Sequence, residues 1–505
     1  MRTRMNVMKA QKNPQNAVPK EAMNVLETLK NADFEAYFVG GCVRDILLGR
    51  KPKDWDITTN ATPEQIMAVF PDTFYENKFG TVGVKNKQAG DNEADTIDET
   101  LKVIEVTPYR KEGTYSDNRR PDSVSFTDKL EDDLGRRDFT INAIAMDGEG
   151  KIVDIYKGQE DLEQGIVRTV GKAEDRFHED ALRILRAVRI ATELGFTINS
   201  DTQKAIETNV SLLKNISRER IRDEFTKIIT SDNPLSGMVL SQKLGILDYI
   251  SPVFRETFGV EQGGIHSYDV WEHILRSLQH AADKKWPLDV RLAALFHDIA
   301  KPQTRRKGLK KWTFYGHEVV GERVTRETLQ SLKYPKDLTE KVATLVRWHM
   351  FFTDTETITL SAVRRLVVNV GKENVWDLMN LRICDRIGTG RPKEEPYRLR
   401  KYQSMIEEAM RDPVTVGMLK IDGNTLIKEL GIGPGPKIGF ILHALLEDVL
   451  DDPTLNTEEY LKNKAKNIAE LPLAELKKMA EKGKEKQALE DEKELKVIRD
   501  RHSVR

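Results

Sequence analysis

The apolar run Tyr37-Phe38-Val39 stops at Gly40-Gly41, and a second strand-like run follows at Trp55-Asp56-Ile57-Thr58-Thr59. A glycine pair directly after a strand lets the backbone come close to a phosphate and aim its N–H groups at it. Arg44, in Gly41-Cys42-Val43-Arg44-Asp45, adds a guanidinium fork at the same place. Asp54 and Asp56 stand at i and i+2, so an extended backbone sets both carboxylates on one face, about 7 Å apart along the chain. Phosphate donors beside a same-face carboxylate pair describe a site for a metal-bound nucleoside triphosphate. Hard oxygen ligands suit Mg²⁺, and two such ions can activate an attacking hydroxyl and stabilise departing pyrophosphate.

A second motif strengthens this reading. Residues 131–147 are EDDLGRRDFTINAIAMD, in which Arg136, Arg137 and Asp138 precede the apolar run Phe139–Met146. Adjacent arginines can hold a triphosphate, and the neighbouring carboxylate can accept from ribose hydroxyls. The formal net charge of −1 means that any RNA-binding surface has to be local. Cys42 and Cys384 offer no disulfide framework, no apolar run reaches the length of a membrane span, and the start lacks a signal-peptide core. These features give the expectation of a cytoplasmic protein.

FVGGCVRDILLGRKPKDWDITT together with DDLGRRDFTINAIAM resembles the head of the class II tRNA nucleotidyltransferase and bacterial poly(A) polymerase family. The resemblance implies an α+β fold: a small mixed-sheet, polymerase-beta-like head followed by mostly helical neck, HD and tail domains. It also implies a third head carboxylate, for which Glu105 on the strand Val103-Ile104-Glu105-Val106 is the candidate. The acidic stretch 86–98 is longer than the family pattern and leaves that register open.

In DRFHEDALRILRAVRIATELGF, residues 175–196, Ala181, Leu182, Leu185, Val188 and Ile190 follow a helical stripe. Asp180 and Arg183 then fall at i, i+3 on another face. The matching residues of the family form an amino-acid template. Physically, a carboxylate accepts from the exocyclic amine of cytosine or adenine while a guanidinium donates to ring acceptors, and guanine and uracil would leave these groups unpaired. The competing reading is an exposed helix salt bridge. Arg218, Arg220 and Glu224 match the family's neck pattern, although Arg220 and Glu224 also have the i, i+4 spacing of a plain ion pair. The polar segment 110–126 resembles the loop that these enzymes use in passing from C to A addition, or is an ordinary surface hairpin.

A second constellation follows. His273, His297-Asp298, His317, His349 and Asp385 carry the order H…HD…D of the HD phosphohydrolase superfamily, and seven of the nine histidines lie between 266 and 443, which favours a site over scatter. Imidazole and carboxylate ligands suit Mn²⁺, Ni²⁺, Co²⁺ or Fe²⁺, and a metal-bound water could attack a phosphodiester. Further on, the Gly/Pro-rich turn in 431–457 either presents amides to an RNA phosphate or only caps a helix.

The expected organisation is an arm at 1–19, the head at 20–150, a neck at 151–235, an HD domain at 236–390, a tRNA-binding helical region at 391–470 and a solvated tail at 471–505. The expected activity is CCA addition to tRNA from CTP and ATP. Asp54, Asp56 and Glu105 would be the catalytic carboxylates. Gly40, Gly41, Arg44, Arg136, Arg137, Asp138, Asp180, Arg183 and Arg220 would hold the nucleotide. A poly(A) polymerase, a split CC- or A-adding enzyme, a principal HD phosphohydrolase and a non-catalytic RNA binder are the alternatives. Oligomeric state is not legible.

Overall fold

The head is built on one seven-stranded mixed sheet, with one face filled by apolar side chains and the other, which carries Asp56, covered in part by the cluster around Leu130 and Leu134. Its strands are β1 (Ala36–Val39), β2 (Asp56–Thr59), β3 (Thr73–Tyr75), β4 (Val82–Lys85) and β5 (Val103–Pro108). A separate hairpin, β6 (Arg110–Glu112) with β7 (Val124–Phe126), precedes β8 (Ala145–Met146) and β9 (Ile152–Val153), which complete the sheet. The order across it is β3-β4-β5-β2-β1-β8-β9, and β2 with β5 is its parallel pair. Phe38, Ile57, Val82, Val84, Ile104 and Val106 fill the apolar face, where the Phe38 ring meets Trp55 edge-on at 5.8 Å. This computed structural model describes residues 14–75, 80–86, 98–113, 123–263, 267–308, 312–351, 358–412, 415–429 and 431–480. Most of the acidic stretch 86–98 and the tip of the 110–126 segment lie outside the described residues.

The short helix Leu130–Gly135 buries Leu130 and Leu134 in a cluster with Val39, Tyr109 and Ala145. That i, i+4 anchor fixes the orientation of Asp133 and of the arginines that follow. Phe139–Met146, open between strand and helix in the sequence, becomes a 3-10 turn at Thr140–Asn142 and then β8.

The chain divides into two compact units, Met1–Ser251 and Pro252–Arg505. The boundary expected at 235/236 therefore moves. Helix Pro234–Lys243 packs back on the neck, so closely that a Cβ at Gly237 would come within 2.6 Å of Thr192 Oγ1 and 2.7 Å of Ile228 Cγ2. Arg218 ties the end of this unit down by donating to the carbonyls of Tyr249 (2.7 Å) and Ile250 (2.6 Å). The head also runs past 150, because β9 belongs to its sheet.

The second unit is helical. Helices Val270–Asp283, Leu288–Phe296, His317–Ser331, Lys336–Trp348 and Val375–Gly388 gather the histidines. Helices Leu360–Val370 and Pro436–Asp451 are stapled by Arg365, which donates to Glu447 (3.3 Å) and Asp451 (2.7 Å). The segment expected to be a free tail begins packed, since Leu476 is fully buried; residues 481–505 lie outside the described residues. Among the described residues no helix is long and apolar enough to cross a membrane.

Candidate active site and metal centre

Asp56 opens β2 and stands directly across from Glu105 of β5, and Glu105 in turn faces Gly83 of β4. Paired residues of neighbouring strands project to the same side, so both carboxylates are on the same face of the sheet. Asp54 was expected to share this strand. It lies instead at an exposed bend two residues before β2 begins, so period-two geometry does not fix its direction.

Gly40 has φ +81°, a conformation for which glycine pays no steric penalty. A Cβ there would approach Arg137 NH1 to 3.0 Å and Asp56 Oδ2 to 3.6 Å. The bare backbone thus lies between a guanidinium and a carboxylate, with helix Gly41–Leu47 beginning at the next residue. Arg44 donates through NH1 to Asn142 Oδ1 (2.8 Å) and through Nε to Asp45 (2.9 Å). Cys42 is packed away beneath, and burial pushes its thiol up to about 12.

Asp133, which the motif reading passed over, organises the arginine pair. Its Oδ1 accepts from Arg136 Nε (2.9 Å) and NH2 (2.6 Å), and its Oδ2 accepts from Arg137 NH2 and Thr58 Oγ1, each at 3.2 Å. Burial alone would raise this carboxyl, but the two guanidinium groups outweigh it and hold it below its ordinary value. The spacing i, i+3 and i, i+4 was the available signal. Arg137 Nε is buried with no hydrogen-bond partner among the described residues.

Asp138 departs from expectation. Rather than standing open to a sugar, it is buried, accepting from Arg186 Nε (2.8 Å) and NH2 (2.5 Å) through Oδ2 and from Phe139 N (2.8 Å) and Asn142 Nδ2 (3.0 Å) through Oδ1. Burial opposes ionisation here too, and Arg186 overrides it to keep the carboxyl far below its usual range. Arg44, Asn142, Asp138 and Arg186 therefore form one chain of hydrogen bonds from the glycine turn to the neck.

The helix expected over 175–196 is broken. Ala173–Glu179 ends at Asp180, whose backbone is extended (φ −138°, ψ 105°), and Leu182–Leu194 starts afresh. Asp180 and Arg183 are thus not a side-chain pair on one helical face. Asp180 caps Leu182 N (3.0 Å) and accepts the fork of Arg220, NH1 to Oδ1 at 3.2 Å and NH2 to Oδ2 at 2.7 Å. Arg183 pairs with Glu179 (2.5 Å) and donates to the Arg136 carbonyl (2.9 Å), which fastens neck to head within the first unit. The alternative Arg220–Glu224 pair gives way to Glu224 with Arg189 at 2.5 Å.

In the second unit the sequence-selected residues come together. Asp298 Oδ2 lies 3.0 Å from His273 Nε2 and 3.3 Å from His297 Nε2, with Asp385 Oδ1 3.4 Å from His273 Nε2. Asp298 Oδ1 lies 3.2 Å from His317 Nε2 and 3.7 Å from His349 Nε2. These residues form two groups of metal-ligand type that share Asp298. His297, His317 and His349 turn Nδ1 to the carbonyls of Ala294 (2.9 Å), Phe314 (2.7 Å) and Val346 (2.6 Å). The tautomer with the proton on Nδ1 would leave each Nε2 able to ligate a metal, and the Nε2 atoms of His317 and His349 lie 3.2 Å apart. Converging imidazole nitrogens and a shared carboxylate fit a cation. Lys301, three residues after Asp298, donates to it at 2.5 Å and is held by Gln262 Oε1 at 2.6 Å.

Comparison with known proteins agrees with both halves. Residues 36–168 match the model of the poly A polymerase head domain, 195–257 that of a probable RNA and SrmB-binding site of polymerase A, and 265–396 that of the HD domain. The CCA-adding enzyme of Lactiplantibacillus plantarum is 33% identical over 455 residues, covering 89% of this chain and 96% of the relative. That of Geobacillus thermodenitrificans is 32% identical over 447 residues, 87% and 95% of the two chains. The crystal structure of the Bacillus stearothermophilus CCA-adding enzyme in complex with CTP superposes with a TM-score of 0.65 at 29% identity, covering 89% of this chain and 98% of the other. Head, neck and HD domain in this order, at this identity over nearly the whole of both chains, establish that the protein belongs to the CCA-adding enzyme family.

Proposed function

We propose that this chain adds C, C and A to the 3′ end of tRNA from CTP and ATP. The observation that carries the reading is the Asp56–Glu105 carboxylate pair beside the Gly40 turn and Arg137. The RNA 3′-oxygen bonds to the α-phosphorus, the bond to pyrophosphate breaks, and the hydroxyl proton is released. Arg137, Arg136 and Arg44 take the phosphates, with Gly40-Gly41 allowing close approach. Asp54, Asp56 and Glu105 would hold Mg²⁺, which supplies Lewis-acid stabilisation of the attacking and leaving oxygens. Asp180 uses about three of a carboxylate's roughly four acceptor directions on Leu182 N and Arg220, which leaves Oδ2 room for an exocyclic amine. Arg183 donates to the ring acceptors of the same base. A substrate of this kind supports the reading of a cytoplasmic enzyme.

The test is single-nucleotide resolution of products from tRNA lacking CCA, with CTP, ATP, both, or GTP and UTP. Growth by CCA followed by a stop is the expected result. A long A ladder would mean a poly(A) polymerase, and a stop after CC a split enzyme.

The two ligand groups sharing Asp298 favour a second reading, that the HD unit is a metal-dependent phosphohydrolase. His273, His297, Asp298, Asp385, His317 and His349 would hold transition-metal ions that activate water toward a phosphodiester. Purified protein with Mn²⁺, Ni²⁺ or Co²⁺ and a 2′,3′-cyclic nucleotide tests this; inert mixtures with every metal would exclude it.

A further inference from the structure

We propose that Phe74 is a stacking platform for the terminal nucleobase of the RNA whose 3′-hydroxyl attacks, a subsite that rests on the nucleotide-adding reading above.

One face of the head sheet carries a row across four strands. Asp56 pairs with Glu105, Glu105 with Gly83, and Gly83 with Phe74 on the edge strand β3. Strand spacing puts the backbone of Phe74 about 10 Å beyond that of Glu105. On the other side of Asp56 lie Gly40 and Arg137. The triphosphate therefore occupies the β1 side, and its pyrophosphate leaves toward it. In an in-line displacement the attacking oxygen enters opposite the leaving group, which here means from the side of β5, β4 and β3. The last nucleotide of the RNA has to lie along that part of the row.

Gly83 and Phe74 shape this approach. Gly83 has no side chain to obstruct it, and the Phe74 ring spreads over the space: a Cβ on Gly83 would stand 2.4, 2.6 and 2.9 Å from Cζ, Cε1 and Cε2 of the ring. Phe74 as a residue nevertheless remains 37% exposed. Lys85 Nζ sits 5.6 Å from the ring centroid, where a cation can accompany an RNA phosphate. An exposed aromatic face beside a cation, at the end of a carboxylate row, is the arrangement that receives a base by stacking. Stacking tolerates any base, as a primer end that changes with each addition requires.

The experiment uses the full chain with tRNA lacking CCA, carrying either its normal terminal base or an abasic ribose there. Wild type, Phe74→Leu and Phe74→Trp are compared for addition kinetics and, by fluorescence anisotropy, for RNA binding. Leucine keeps the apolar cover over Gly83 without offering a ring. Phe74→Leu should raise KM for normal tRNA about tenfold, leave KM for CTP unchanged, and lose nothing further on the abasic RNA. Phe74→Trp should restore the wild-type value. An equal penalty on both RNAs, a raised KM for CTP, or no effect would overturn the platform. If wild type adds no nucleotide at all, the nucleotide-adding reading falls. A base-dependent loss of RNA binding in Phe74→Leu would still uphold the platform in that case, and its absence would remove it.

Discussion

Asp180 accepts both terminal nitrogens of Arg220, at 3.2 and 2.7 Å, across the gap between two neck helices. A side chain that reads a base has to be held still, and a bidentate fork restricts both carboxylate oxygens. On the proposed reading of Asp180 as the residue that meets the base, Arg220 would act on base choice through it.

Asp180→Ala should remove the acceptor for the exocyclic amine. The preference for CTP over UTP should fall by about 10²-fold, because the site no longer strands an unpaired group against the wrong base. Arg220→Gln should lower the same ratio less, with KM for tRNA unchanged. Single-turnover incorporation of CTP and UTP measures both.

Glu105→Gln should depress nucleotide addition by about 10²-fold or more while the melting temperature holds, because Glu105 is exposed on its strand and glutamine keeps its size. Asp56→Asn should behave alike. Retained activity in either variant would remove that carboxylate from the chemistry.

Asp133→Ala leaves two arginines without their buried partner and should destabilise the first unit by about 3–5 kcal/mol. The folded-state value of Asp133 is lowered, so its contribution is complete above the unfolded value of about 3.9 and is lost as pH falls through the folded one. Acid unfolding of the variant should accordingly begin from lower stability and show a shallower pH dependence below pH 4, as followed by circular dichroism.

His273 is affected by burial, which would lower it, and by the hydrogen bonds it donates to Asp298 and Asp385, which prevail and raise it to about 9. Without metal, its contribution to stability is present below about 6.5 and is lost as pH rises through about 9. A metal ion has to displace that proton, so its affinity should increase over the same interval. Ni²⁺ or Mn²⁺ should therefore raise the melting temperature more at pH 9 than at pH 6.5, and chelation should reverse the gain. His297→Ala should lose this shift and retain CTP addition.

The sequence by itself determined the chemistry-bearing motifs and their order. The glycine pair after Val39, the acids at Asp54 and Asp56, the Arg136-Arg137 pair and the H…HD…D series are local patterns, visible because residue type and short spacing define them. The α+β class came with the family resemblance that these same motifs carry. Tertiary structure decided which charges meet. Glu105 became the partner of Asp56 only through the parallel pairing of strands separated by a long insertion. Asp138 turned inward to Arg186, and Asp180 found Arg220 rather than Arg183, because carboxylates choose among several guanidinium groups by the distances that helix packing imposes. The break at Asp180 was hidden because the apolar stripe continues across it, while the side-chain cap on Leu182 depends on backbone geometry that periodicity does not encode. Charge pairing is set by long-range packing, and the spacing of residues along one helix constrains it only weakly.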